Sequence, residues 1–382
     1  MTPRLESLTG VESREVQIRD LEKELSALWR SLAAQSEGGE AVTRAAALTL
    51  LVYVENEEAA MEVGNLLGSI SAQNPCRAVI MIAQPDASPA GFKASISAQC
   101  HLSPSSRRQV CCEQIRVVAC GTSVGDLDHV VLPLTVSGLP VYLWWRTSRF
   151  DPPQSLGQML RISDRVIVDS ARFGDPEADL LLFAKRLEDL SDHVAFLDLN
   201  WPRITPWREL IAQCFDLSGT RDYIGRLRRV RIEYEERSSR LAAQTVQALL
   251  LAGWLASRLK WTRADRPAEV KSGRHSVFMK SNTGDVEIQR VARRFEGDGR
   301  GVCFRILLET SGEPSASFTL ERGADGRSVH TRSELQGRLP IARTVRLEVL
   351  GEAELVNEEL QHPQRDKSYE DALAMVIHIL NK

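Results

Sequence analysis

Apolar and polar positions fall into blocks along this chain, and each block implies an element. Leu21, Leu25, Leu28 and Leu32 recur at helical spacing, which predicts an amphipathic helix over 12–35, ended by Gly38 and Gly39. The run AALTLLVYVE, 46–55, is apolar without alternation, the pattern of a strand covered on both faces. A helix over 57–70 and the loop Asn74-Pro75-Cys76-Arg77 lead to a second such strand at 77–84. Two extended runs, 92–102 and 110–120, flank the turn Ser103-Pro104-Ser105-Ser106. Further along come a helix near 124–136, strands at 140–145 and 164–170, a helix over 177–190 and a strand at 194–199. A helix over 205–216 follows, with Thr205 as its cap and Pro206 at its first position. Strands alternating with helices predict βαβ units. The fold class is therefore α/β: a helical segment over 1–39, then an open, mostly parallel, three-layer domain over 40–217.

The pattern changes after Leu217-Ser218-Gly219-Thr220. A strand-like segment (222–235) and a long helix (241–259) precede short strands between 275 and 356. The turns Asn282-Thr283-Gly284, Gly297-Asp298-Gly299 and Gly323-Ala324-Asp325-Gly326 are hairpin signals. A last helix covers 368–380. Residues 218–382 thus read as an α+β domain with an antiparallel sheet, and the charged stretch 260–274 as its most linker-like part.

Composition narrows the function. With 382 residues, 43% of them hydrophobic and 26% charged, the chain can bury the cores of two domains. A net charge of -3 argues against wholesale binding to nucleic acid, which needs concentrated positive charge. No run approaches the roughly 18 apolar residues of a membrane span. The amino terminus is polar and acidic, without an apolar signal core. These features predict a cytoplasmic protein with neither membrane nor nucleic acid as partner. The seven cysteines (Cys76, Cys100, Cys111, Cys112, Cys120, Cys214 and Cys303) form no regular framework and are expected as reduced thiols. Cys111 and Cys112 are adjacent on a strand, so their side chains take opposite faces.

Catalytic motifs are few. Gly121-Thr122-Ser123-Val124-Gly125 matches G-x-S-x-G between a strand and a helix, with Asp169 and His193 as paper partners. Ser123 with Asp126 three residues on also makes a capping box, the reading favoured by the missing oxyanion segment. There is no G-x-G-x-x-G after the first strand, and Glu55, Glu57 and Glu58 around the next helix start would repel a phosphate. No H-E-x-x-H or paired C-x-x-C occurs, so neither cofactor nor metal is expected. Arg221, Arg226, Arg228, Arg229 and Arg231 form a basic stretch, but Glu233, Glu235 and Glu236 offset it and no aromatics interleave.

Tryptophan, arginine and aspartate cluster at strand ends: Trp144-Trp145-Arg146, Asp164-Arg165, Asp169-Ser170, Asp198 through Trp201 to Arg203, and Trp207-Arg208. Ligand crevices of open α/β sheets form at such a rim. The same residue types also anchor protein interfaces. Capping of the core by indoles, with arginine–aspartate pairs locking loops, is the structural alternative.

Several segments occurring in order carry a family resemblance. They are Asn74-Pro75-Cys76-Arg77, the run from Gln109 to Ile115, Leu139-Pro140-Val141-Tyr142-Leu143-Trp144-Trp145, the run from Asp164 to Ser170, and the run from Asp198 to Arg208. Over roughly 40–217 the chain resembles the OpcA family, the bacterial glucose-6-phosphate dehydrogenase assembly proteins. The resemblance implies a non-catalytic partner that binds that dehydrogenase and promotes its active form. It supplies no catalytic residue. Asn74 departs from the family, which usually has histidine there. A second hypothesis makes the rim a metabolite site for a phosphorylated sugar or nucleotide, with Arg77, Arg146 and Arg203 as anion donors.

Overall fold

The computed structural model describes residues 9–35, 42–102, 109–153, 156–190, 194–216, 219–235, 241–271, 273–293, 304–361 and 365–380. The chain folds as mixed α/β around two separate sheets. It divides into two units built from interleaved segments. The first takes residues 1–169, 189–197 and 351–365; the second takes 170–188, 198–350 and 366–382.

In the first unit, β1 (Thr9–Val16) precedes helix α1 (Leu21–Gln35) and the short β2 (Val42–Arg44). β3 (Leu48–Val54) is buried at all seven positions, as an unbroken apolar run requires when both sheet faces are covered. Helix α2 (Glu57–Gln73) follows, its first turn capped by Asn56 Oδ1, which accepts from the Ala59 N–H at 2.8 Å. β4 (Cys76–Gln84), β5 (Gly91–Leu102) and β6 (Gln109–Cys120) come next. The chain then crosses through α3 (Leu127–Val131) to β7 (Val141–Trp145), and through α4 (Gly157–Ile162) to β8 (Arg165–Val168). Helix α5 (Pro176–Leu190), most of which belongs to the second unit, leads to β9 (Ala195–Asp198), which completes the run. The sheet order is β1-β5-β6-β4-β3-β7-β8-β9, with β2 also beside β6. The pairs β4–β6, β3–β4, β3–β7 and β7–β8 are parallel, while β5 pairs antiparallel with β1 and β6. Thus the parallel core is as expected, with an antiparallel flank added.

The second unit begins its sheet after α6 (Asn200–Arg203) and α7 (Thr205–Asp216). β10 (Leu227–Glu235) lies at its centre, parallel to β14 and antiparallel to β15. Helix α8 (Leu241–Arg258) comes next, followed by β11 (Thr262–Arg263), β12 (Glu269–Lys271), β13 (Arg274–Ser281) and β14 (Gly284–Arg293). β15 (Phe304–Thr310), β16 (Ala316–Arg322), β17 (Ser328–Leu335) and β18 (Ile341–Arg346) form an antiparallel meander. After α9 (Glu352–Gln361), which belongs to the first unit, α10 (Lys367–Leu380) closes the second. One sheet face is apolar: Val230, Ile232, Ile306, Leu308, Phe318 and Leu320 are each fully buried. On the other, Arg229 lies between Glu287 and Glu309, and Arg293 pairs with Glu233.

Four expectations change. Residues 9–16 form a strand rather than the start of a helix, because β5 offers them a backbone edge. The segment 124–136 is a succession of short 3-10 and α turns interrupted by Pro133. The stretch 260–274 carries β11 and β12. Helix α9 stands where short strands were expected to continue. The turns at Asn282-Thr283-Gly284 and Gly323-Ala324-Asp325-Gly326 do join hairpins, whereas Gly297-Asp298-Gly299 lies outside the described residues.

Helices α8 and α10 touch through Gly253. A Cβ there would overlap the Ala372 carbonyl oxygen and come within 2.8 Å of Val376 Cγ2. On an open helix, alanine would gain about 1 kcal/mol over glycine. Here crowding of a packed helix pair reverses the sign. We expect Gly253→Ala to lower unfolding free energy by about 1–3 kcal/mol in urea titrations; a gain in stability would refute the close approach.

Candidate functional site

The open sheet of the first unit changes winding direction between β3 and β7. The chain runs from β3 to β4 on one side and later returns to β7 on the other. A ligand crevice belongs at the carboxyl ends of these two strands. There, β7 places Trp144 and Arg146 on one face and Trp145 on the other, by strand alternation. Trp145 stacks on Tyr53 of β3, with ring centroids 4.1 Å apart and planes 7° apart, and meets Phe150 edge-on at 5.6 Å. Its indole Nε1 donates to the Arg149 carbonyl at 3.0 Å.

Arg146 fills the crevice. It is 3% exposed, with its guanidinium 5.9 Å from the Trp144 ring. Nε and Nη2 donate to the two carboxylate oxygens of Glu352 at 2.8 and 3.1 Å, and Nη2 also donates to Glu62 at 2.6 Å. Burial draws its pKa down, but the hydrogen bonds and charges of Glu352 and Glu62 outweigh that and raise it. Glu62 lies on α2 and Glu352 opens α9, so one cation ties two helices to the end of the strand. Farther along the same helix pair, Asn74 Nδ2 donates to Asn357 Oδ1 at 2.8 Å, and Asn357 Nδ2 donates to the Ser69 carbonyl at 3.3 Å. This gives the departing Asn74 a definite task.

Arg77, Asp164 and Arg165 lie at the opposite, amino-terminal ends of the parallel strands, because each begins a strand rather than ending one. Arg77 Nε donates to Glu113 at 2.6 Å, and Nη1 to Glu22 at 2.8 Å and to the Leu134 carbonyl at 2.9 Å. Glu113 also pairs with Arg44 at 2.6 Å and accepts from Trp29 Nε1. Alongside is a cavity of ≈ 310 Å³ lined by Arg44, Cys76, Arg77, Glu113 and Val136. Asp164 Oδ2 accepts from the Val141 N–H at 2.8 Å, and the Arg165 guanidinium lies 5.6 Å from the Tyr142 ring. Asp169 is buried just past the end of β8.

The remaining residues belong to the second unit. Asp198, 2% exposed, accepts from the Ser170 N–H at 3.0 Å, Ser170 Oγ at 2.6 Å, Tyr369 Oη at 3.2 Å and the Asn200 N–H at 2.9 Å. Trp201 Nε1 donates to Asp366 at 2.6 Å, and the Arg208 guanidinium lies 3.7 Å from the Trp201 ring. Burial lowers the Arg208 pKa to about 10 despite the nearby Asp366 and Glu209. Trp207 is buried against Phe304, with ring centroids 4.8 Å apart. Arg203 is half-buried at the end of α6.

The residues expected on one rim are therefore found in three places. Trp144, Trp145 and Trp201 are each no more than 4% exposed, and Trp207 is 2% exposed. They pack inward. Two of the three proposed anion donors, Arg77 and Arg146, are already held by carboxylates of the chain itself. Sequence reasoning missed those carboxylates, Glu22, Glu62, Glu113 and Glu352, together with Tyr369 and Asp366. Only the acid-rich first turns of α1 and α9 hinted at any of them.

The other motifs resolve as well. Ser123 sits within a 3-10 helix, Gly121–Asp126, and Asp126 makes no side-chain cap, so neither elbow nor capping box forms. Gly121 has φ +56, and a Cβ there would crowd the Ala87 carbonyl. His193 lies outside the described residues. Arg226 and Arg228 bind carbonyls of adjoining turns, and Arg229 is ion-paired. Among the described residues, no group of three or more metal-ligating side chains converges, and no helix is long and apolar enough to cross a membrane. Cys100 and Cys111, directly opposite on β5 and β6 with Cα atoms 4.0 Å apart, form a disulfide. This departs from the reduced thiols expected, and the register explains it. Cys112 faces away, towards the Ser71 carbonyl. Burial pushes its pKa up, as it does for Cys76 and Cys214, the last to about 11.

Two substitutions test these networks. Arg146→Met strands a mostly buried Glu352 and is expected to cost about 2–4 kcal/mol, whereas Glu62→Gln, at an exposed partner, costs under about 1 kcal/mol. Asp198→Asn puts a donor where four donors converge and is expected to cost about 2–3 kcal/mol. Denaturant unfolding reads all three; equal effects of Arg146→Met and Glu62→Gln would show that Glu352 is not the principal partner.

Comparison with known proteins gives the family. Residues 68–185 match the glucose-6-phosphate dehydrogenase subunit N-terminal domain, and residues 194–373 match the corresponding C-terminal domain. An OxPP cycle protein OpcA of Synechocystis is 28% identical over 84% of this chain and 66% of its own length. The OpcA protein of Nostoc punctiforme is 35% identical over 58% of this chain and 43% of its own. The chain thus spans between 43% and 66% of the length of these two relatives. Among solved structures, a Parabacteroides merdae protein named as an oxidoreductase aligns with TM-score 0.49 at 9% identity, covering 87% of this chain and 97% of its own. A likeness of that size carries no inference about chemistry. With both domain models matched in order and OpcA relatives along most of its length, this chain belongs to the OpcA glucose-6-phosphate dehydrogenase assembly family.

Proposed function

We propose that this chain is a non-catalytic cytoplasmic partner that binds glucose-6-phosphate dehydrogenase and favours its active form, serving the oxidative pentose phosphate pathway. One observation supports this most. The crevice at the winding switch of the open sheet, where a cofactor or substrate would bind, is filled by Arg146 and its two carboxylates. Family membership then supplies the partner. The metabolite-sensor reading loses support, since Arg77 and Arg146 are neutralised internally.

An activator of this kind works by binding the active state of its target more tightly than the inactive one, and each tenfold preference is worth about 1.4 kcal/mol. The test is the activity of the dehydrogenase from the same source across a titration of this chain, with size-exclusion chromatography of the mixture. We expect a saturable rise and co-elution. Absence of both, under reducing and oxidising conditions alike, would reject the proposal. A melting-temperature rise with glucose 6-phosphate alone would support the sensor instead.

A further inference from the structure

The last strand of the second sheet leaves an open edge. β18 pairs only with β17, in unbroken register from Ser328↔Arg346 to Ser333↔Ile341. The Leu347 N–H continues that ladder to the Arg327 carbonyl. By alternation, residues 341, 343 and 345 turn their backbone groups towards β17, while those of Ala342, Thr344 and Arg346 face outward. Every β18 residue except Val345 is exposed. Protein edges are ordinarily blunted by lysines, internal prolines or bulges. β18 has no lysine, internal proline or bulge, and its charged side chains are Arg343 and Arg346 alone. The apolar side chains around it are unusually open, with Leu339 89% and Val349 66% exposed.

Charge distinguishes this edge from the body of the sheet. There, Arg229, Arg231, Arg293, Arg305 and Arg332 each have a glutamate partner. The segment 338–347 carries Arg338, Arg343 and Arg346, with no acidic residue before Glu348. Among the described residues, none of these three forms an ion pair. A second copy would set like charges against one another. An acidic strand would neutralise them while taking up the outward backbone groups.

We propose that β18 is a docking edge that takes an acidic extended segment of the dehydrogenase as an added strand. This rests on the partner reading above. Outward N–H and C=O groups supply the affinity, and the arginines select for acid.

The experiment measures the dissociation constant between the full chain and the dehydrogenase for wild type, Thr344→Pro and Arg343→Glu/Arg346→Glu. Thr344→Pro removes an outward donor and no backbone bond to β17; the one contact it gives up there is the exposed hydrogen bond between Thr344 Oγ1 and His330 Nδ1 at 3.0 Å. Each variant is expected to weaken binding at least tenfold while keeping the wild-type melting temperature within a few degrees. If Thr344→Pro does not fold, the charge-reversal pair decides alone. Wild-type affinity in a folded variant overturns the edge proposal and leaves the partner reading intact. A wild-type chain that does not bind overturns both. Self-association of the wild type that Thr344→Pro abolishes would assign the edge to a second copy and overturn the acidic-segment proposal.

Discussion

One buried guanidinium organises the first unit. Arg146 emerges where β7 ends, in a place water barely reaches, and an isolated cation there would be prohibitively costly. It is tolerated because two helices each bring a carboxylate, from 84 residues before and 206 residues after it in sequence. The position of α9 against α2 follows from that requirement, and the asparagine pair extends the contact along the helices. Charge pairing of this kind adds little net stability over an apolar filling. It does set which helix lies where, and it occupies the place in which related architectures hold a ligand.

The strands at the heart of the first unit were legible because burial on both faces leaves a single possible pattern: a short unbroken apolar run, as in β3, β4 and β7. The hairpin turns of the second unit were legible through glycine and asparagine chemistry. β1 was not, because its polar residues carry no periodic signal and its strand identity comes from β5, some 85 residues away. Helix α9 was hidden for a related reason: its apolar face answers to α2, not to its neighbours in sequence. For the site, residue types were readable and positions were not. Arg77 and Arg165 open their strands, and in a parallel sheet that alone assigns them to the far end from Trp145. The carboxylate partners of Arg77, Glu22 and Glu113, lie too far along the chain for any local pattern to indicate.

The segments through which the chain resembles its family prove to be largely internal. Trp144, Asp198, Trp201 and Trp207 are scaffolding: they fill cores, anchor helix starts and accept backbone donors. Family likeness carried by such residues reports architecture first. A surface that meets a partner is built from other material, and the second sheet offers two contrasting kinds. Its open face is laced with matched ion pairs, so its charges are largely satisfied; its last strand is not.

The interleaving of segments also has a temporal side. Residues 351–365 belong to the first unit although they are made after the whole second sheet. Until they leave the ribosome, the growing chain holds Arg146 without Glu352, and α2 without the helix that covers it. The first unit therefore lacks one of its helices through the making of the whole second sheet. A chain arranged in this way cannot complete its first unit until most of its second has been made.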